Sequence, residues 1–293
     1  MAIKLNTEQL DSIRRMEEAL PQNRIRTQYK ILAEGDSWFA YPKEYFFFGD
    51  ASNVVTQLRE LYPILKIKNI SSNGDEAVAM IVGSSKLDFL DRITREEFDL
   101  ILFSGGGNDI VGRYDFEYFL QPQENASDFR SYIVMERFER RLNQIRNAYT
   151  DLIELVVLAC QLEIAKAESA RISKIPPIVT HTYDIAIPNS QGAVFAGGLF
   201  ELDEGRSWMQ PYMEKYGIKD LEIQQRIVKF MLEELARMLG EIEAEYSEYF
   251  KVVNTQGTLE PNEWLNEIHP TPQGFEKIAR KIYEEGIKHF LNA

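Results

Sequence analysis

One cysteine, three histidines and a shortage of positive charge bound what this chain of 293 residues can do. With Cys160 alone, no intrachain disulfide and no Cys-based zinc spacing is available. Cys160 falls inside a helical apolar stripe and reads as a small core residue. His181, His269 and His289 are scattered, with no Asp-x-His or His-x-His pair. A two-metal phosphoesterase, which needs several such ligands, is therefore disfavoured. Lys and Arg number 33 against 46 Asp and Glu, a net charge of −13. That balance argues against a phosphate-backbone partner or an anionic membrane surface. No run approaches the roughly 18 apolar residues of a membrane span; even Leu152 to Leu162 carries Glu154. The opening Met1-Ala2-Ile3-Lys4-Leu5-Asn6 lacks the apolar stretch of a signal peptide, so the expectation is a soluble, cytoplasmic protein. Neither Gly-x-x-x-x-Gly-Lys nor Gly-x-Gly-x-x-Gly occurs, which weakens a nucleotide-binding reading.

What is present is ordinary globular composition, 44% hydrophobic and 27% charged. The length suits one α/β domain with insertions, or two small domains. Short apolar runs predict five strands, at Tyr29 to Glu34, Ile64 to Ile70, Phe98 to Phe103, Ile178 to His181 and Phe250 to Asn254. Helical patterns stand between them: Asn53 to Leu61, Glu76 to Val82, Arg92 to Glu97, a long one from Phe129 to Ser173, 220 to 246, and Pro272 to Phe290. The apolar positions Val134, Phe138, Leu142, Ile145, Tyr149, Leu152 and Val156 step by three and four, one buried face. Five alternations of strand and helix predict a three-layer, doubly wound α/β fold on a five-stranded parallel sheet. We read residues 1–293 as a single domain. An N-terminal helical extension covers 1–27, with its helix over 7–20, and insertions cover 112–128 and 184–219. The second insertion, long and rich in glycine and aromatics, is a candidate lid or pocket segment. The aromatic stretch Trp38 to Phe48 is a candidate pocket lining.

Chemistry gathers where strands end. The first predicted strand breaks into Gly35-Asp36-Ser37-Trp38, a tight turn that would lift a serine hydroxyl to the carboxyl edge of the sheet, where open α/β sheets bind ligands. Gly74 follows the second strand in Ser71-Ser72-Asn73-Gly74. The third runs into Ser104-Gly105-Gly106-Gly107-Asn108-Asp109. Near the C-terminus stands Trp264-Leu265-Asn266-Glu267-Ile268-His269-Pro270-Thr271. In this order the blocks resemble the SGNH/GDSL hydrolase superfamily, whose marks are a Gly-Asp-Ser, a lone Gly, a Gly-x-Asn-Asp and an Asp-x-x-His. Three of the four blocks match, and they span about the whole chain. The resemblance implies flavodoxin-like strand order.

A serine at its free pKa is a weak nucleophile and needs a base within reach; His269 is on the same predicted sheet edge as Ser37. The backbone N–H groups of Ser37 and Gly74 and the Asn108 amide suit an oxyanion hole, Gly74 because no Cβ blocks approach. One block departs from the pattern. Where the family has Asp, three residues before the His, stands Asn266. An amide can orient the imidazole but brings no charge, so Asn266, Glu263, Glu267 and Asp184 all remain candidate partners of His269. Asp36 and Asp109 read as local turn caps, and His181 to Asp184 as a polar cluster at a strand end. The expected function is a serine-dependent hydrolase of small-molecule carboxylic esters, with no metal or organic cofactor, no nucleic-acid partner and no membrane insertion. The alternative is a catalytically weak or inactive binding protein on the same scaffold.

Overall fold

The computed structural model describes residues 28–41, 52–123, 128–189 and 207–291. The predicted helix over 7–20, the aromatics Tyr45 to Phe48 and residues 190–206 of the second insertion lie outside the described residues. In chain order the main elements are β1 (Tyr29–Gly35), α1 (Ser37–Ala40), α2 (Val54–Leu61), β2 (Leu65–Asn69), α3 (Ala77–Met80), α4 (Gly83–Arg95) and β3 (Leu100–Ser104). There follow α5 (Gly107–Val111), α6 (Arg113–Phe119), α7 (Met135–Ile164), β4 (Ile178–His181), α8 (Gln210–Lys215), α9 (Leu221–Glu245), β5 (Phe250–Val253) and α10 (Pro272–Lys281). A π-helical turn, Ile282–Ile287, leads into α11 (Lys288–Leu291).

All five strands are parallel, in the order β2-β1-β3-β4-β5. This is the predicted doubly wound sheet, in flavodoxin-like order. Ile31 of β1 stands between Ile67 of β2 and Leu100 of β3. Leu100 to Ser104 are buried throughout, as a strand covered on both faces requires. At the β2 edge, exposed Lys66 and Lys68 alternate with buried Leu65 and Ile67, a charged edge that discourages further strand pairing. Helices α2 and α10 pack together, while α7 packs with α4 and α9.

The helix predicted from Phe129 to Ser173 is shorter in the structure. Its α-helical part is α7, with 3₁₀ turns at Phe129–Tyr132 and Ala167–Ser169. Ahead of α7, Ile133 bridges Leu120 and the Val134 N–H bonds the Phe119 carbonyl, so those residues are pulled straight. In residues 112–123 of the first insertion, where sequence pattern showed no period, the structure has α6, and Phe116 and Phe119, three apart on one face, are fully buried. Helix α4 begins at Gly83, at φ +58, rather than at Arg92. The closing helix is interrupted by its π turn where Gly286 meets the sheet. A Cβ there would stand 2.6 Å from Val179 and 2.7 Å from Val253, so glycine permits the close approach.

Candidate active site

The chain order reverses between β1 and β3, and both strands end in the motifs singled out above. Gly35 lies so close to Ser104 that a Cβ would come within 2.7 Å of it. Past that contact the chain turns sharply. Asp36 caps α1 by accepting the Trp38 N–H at 3.0 Å, and Ser37 is the first helical residue. On the other strand Gly106 takes φ +101 and starts α5, which carries Asn108. His269 comes from the loop before α10. There Leu265 donates its N–H to the His269 carbonyl at 2.8 Å, Trp264 bridges Pro270, and Thr271 caps the helix. The Trp38 indole N–H reaches the Ile268 carbonyl at 3.0 Å and draws this loop against α1.

Ser37 Oγ stands 2.8 Å from His269 Nε2. The opposite ring nitrogen, Nδ1, lies 3.1 Å from Asn266 Oδ1. That amide oxygen also accepts the backbone N–H groups of Ile268 at 3.1 Å and His269 at 2.9 Å. Two N–H donors identify the atom as the oxygen, so the imidazole donates from Nδ1 and leaves Nε2 bare for the serine proton. Burial lowers the His269 pKa to about 3, holding the ring neutral. Tyr41 stacks on the imidazole, with ring centroids 4.0 Å apart and planes 11° from parallel. Trp208 meets it edge to face at 5.6 Å.

The carboxylates proposed as partners of His269 are bonded elsewhere. Glu263 closes a capping box with Glu260 and pairs with Lys277. Asp184 accepts the N–H groups of Ile185, Gly257 and Leu259, each at 2.7 Å. Glu267 accepts those of Asn189 at 3.1 Å, Met209 at 2.7 Å and Gln210 at 2.9 Å, and that of Trp208. It thereby holds both flanks of the second insertion beside the His269 loop. Burial raises the Glu267 pKa, and these bonds oppose the rise.

Gly74 takes φ +81, open to glycine without strain. Asn108 donates from its amide to the Asp75 carbonyl at 3.0 Å, joining the Gly74 loop to α5. Asp109 is not a local cap. It reaches 32 residues back to accept the Ala77 N–H at 2.7 Å, and Arg141 lies 3.8 Å away. Ser37 and Asn108 line a small cavity of about 20 Å³ together with Trp38, Val111, Leu232 and Trp264. Among the described residues, no three His, Cys, Asp or Glu side chains stand where they share a metal site.

Sequence reading did not anticipate the layer beneath this site. Ser104, His181 and Asp36 hydrogen-bond in a triad-like set. Ser104 Oγ donates to Asp36 Oδ1 at 2.9 Å and lies 2.9 Å from His181 Nε2. The order differs from a catalytic triad, because the serine sits in the middle. The Tyr183 N–H donates to His181 Nδ1 at 3.3 Å, so the His181 proton is on Nε2 and points at Ser104. In that tautomer His181 donates to the serine and is no base toward it. The Tyr183 hydroxyl completes the set on Asp36 Oδ2 at 2.5 Å, from a residue held at φ +58. All four residues are buried. Burial raises the Asp36 pKa to about 6, against the pull of these bonds, and lowers that of His181 to about 3. The signals in the sequence were Ser104 at the head of the glycine run of the third block and the polar cluster His181 to Asp184 at the end of the fourth strand.

No protein-family model matches the chain, and no curated protein does. Solved structures do. The lipase Lip_vut3 from a goat-rumen metagenome is 14% identical, with a TM-score of 0.50 over 88% of this chain and 98% of its own. A member of the lipolytic G-D-S-L family from Veillonella parvula is 11% identical, at 0.48 over 88% and 98%. A carbohydrate acetylesterase family member from Sinorhizobium meliloti is 13% identical, at 0.49 over 91% and 100%. At these identities the likeness concerns fold, and the first of the three carries it. The chain has an SGNH/GDSL hydrolase-like fold.

Proposed function

We propose that this protein hydrolyses small-molecule carboxylic esters through an acyl-enzyme on Ser37. The observation that carries the reading is the Ser37–His269 pair at 2.8 Å with the ring proton held on the far nitrogen by Asn266. Ser37 Oγ attacks the acyl carbon as its proton moves to Nε2. The Ser37 and Gly74 N–H groups and the second Asn108 amide proton receive the oxyanion. His269 then protonates the leaving alcohol and activates water for deacylation. Asn266 orients the ring and supplies no charge.

The small cavity between Ser37 and Asn108 favours short acyl groups, acetyl first. The three structural relatives are described as a lipase, a lipolytic protein and a carbohydrate acetylesterase, which agrees with ester chemistry. A net charge of −13 favours a small neutral substrate over a polyanion. The second reading, a binding protein with little turnover, draws on Asn266 in the place of a carboxylate. Release of p-nitrophenol from the acetate and octanoate esters separates them. Wild type hydrolyses the acetate faster than the octanoate, and Ser37→Ala and His269→Ala each lower kcat by about 10³-fold or more. Equal rates in all three proteins would overturn the hydrolase reading.

A further inference from the structure

Resting on that reading, the unanswered question is what replaces the missing carboxylate. Proton transfer from Ser37 makes an imidazolium in a fully buried place, where a charge is costly. Asn266 offers a dipole only. Glu263, Glu267 and Asp184 are bonded elsewhere, as described above, and Asp36 serves Trp38, Ser104 and Tyr183. What does face the ring is Tyr41. It lies four residues after Ser37, one helical turn on, so the helix that presents the nucleophile also presents this side chain to its base. Its backbone is pinned from two directions, with its N–H on the Ser37 carbonyl at 2.7 Å and its carbonyl on the Asn53 amide at 2.8 Å. Its ring lies face to face with His269 at 4.0 Å and 11°. Burial raises the phenol pKa, so the group stays neutral and acts through its π face.

We propose that Tyr41 is the positioning residue that stands in for the absent triad carboxylate, stabilising the His269 imidazolium by the face of its ring. The negative face of an aromatic ring attracts a cation stacked on it, most strongly where water is excluded. Neutral imidazole gains less, so the stack favours the transition state over the resting enzyme.

The test is p-nitrophenyl acetate hydrolysis by the full chain carrying Tyr41→Phe, Tyr41→Trp or Tyr41→Leu, each alone and with Asn266→Asp. Ser37→Ala serves as the reference. Phe and Trp keep an aromatic face and hold kcat within about threefold of wild type. Leu removes the face and lowers kcat about 5- to 30-fold with KM within twofold, the span expected of a cation–π contact. With Asp at 266 a real carboxylate is restored, and the Tyr41→Leu loss shrinks below about threefold. A purely structural role gives the same loss in both backgrounds, and that result overturns the proposal, as does a Leu variant no slower than the Phe variant. If Leu at 41 does not fold, Tyr41→Met, whose flexible chain fills the space, takes its place. Should Ser37→Ala retain wild-type hydrolysis, the ester-hydrolase reading itself falls and the Tyr41 role falls with it.

Discussion

At the scale of single residues, the site holds two Ser–His pairs whose protons run in opposite directions. His269 has its proton on Nδ1 because Asn266 Oδ1 sits there, and His181 has its proton on Nε2 because the Tyr183 N–H occupies Nδ1. The same two residue types thus form a base and nucleophile in one place and a scaffold in the other. Since burial lowers the His269 pKa to about 3, the base form persists in acid. We expect kcat/KM for p-nitrophenyl acetate to stay flat from pH 7 down to about pH 5, where an imidazole of ordinary pKa, about 6.5, would already be mostly protonated. Asn266→Asp places a negative charge on Nδ1 and raises that pKa. Its acid limb therefore moves to higher pH, while kcat on the alkaline plateau rises several-fold. An unmoved limb would show that residue 266 does not face the base.

At the scale of elements, catalytic geometry depends on a few short turns. The turn into α5 needs Gly106 at φ +101, with Leu235 only 3.3 Å from where a Cβ would sit. Gly106→Ala should cost about 1–2 kcal/mol in urea denaturation and lower kcat through Asn108. The flanks of the second insertion meet at the Glu267 carboxylate. Glu267→Gln keeps an acceptor oxygen and removes the charge that strengthens four N–H bonds. A loss of about 1.5–3 kcal/mol is expected in the same measurement, with KM rising more than kcat falls. Equal stability of wild type and variant would mean that the insertion is held by other contacts.

For the whole molecule, burial of titratable groups links folding to pH in two opposing senses. His181, at about 3 in the folded chain against about 6.5 unfolded, binds its proton in the unfolded state first, so its contribution to stability falls as pH drops below 6.5. Burial raises Glu34 and Asp109 to about 7 and Asp36 to about 6. These carboxyls hold protons in the folded chain that the unfolded chain has lost, so their contribution falls as pH rises through that window. Removing one histidine should therefore tilt the balance. In His181→Gln, the slope of unfolding free energy against pH between about 4 and 6 becomes more negative than in wild type by one proton, about 1.4 kcal/mol per pH unit. Urea melts at three pH values read this slope, and parallel lines for the two proteins would contradict it.

The sheet was legible in the sequence because strands buried on both faces carry continuous apolar runs, as Ile31 to Ala33 and Leu100 to Phe103 do. The positions of Ser37, Gly74 and Asn108 after strands were legible for a related reason, since turns at strand ends restrict residue type tightly. Their proposed roles, and that of His269, came from the resemblance of the four blocks to the SGNH/GDSL superfamily. What lay beyond reach was everything set by approach between distant segments. Which of Asn266, Glu263, Glu267 and Asp184 faces His269 is decided by the loop's own backbone donors, and those converge only on folding. Tyr41 looked like one aromatic among many, and Ser104 like the start of a flexible turn. Only the tertiary structure lays the first flat against His269 and sets the second between Asp36 and His181, because ring orientation and proton direction depend on partners 68 to 232 residues away.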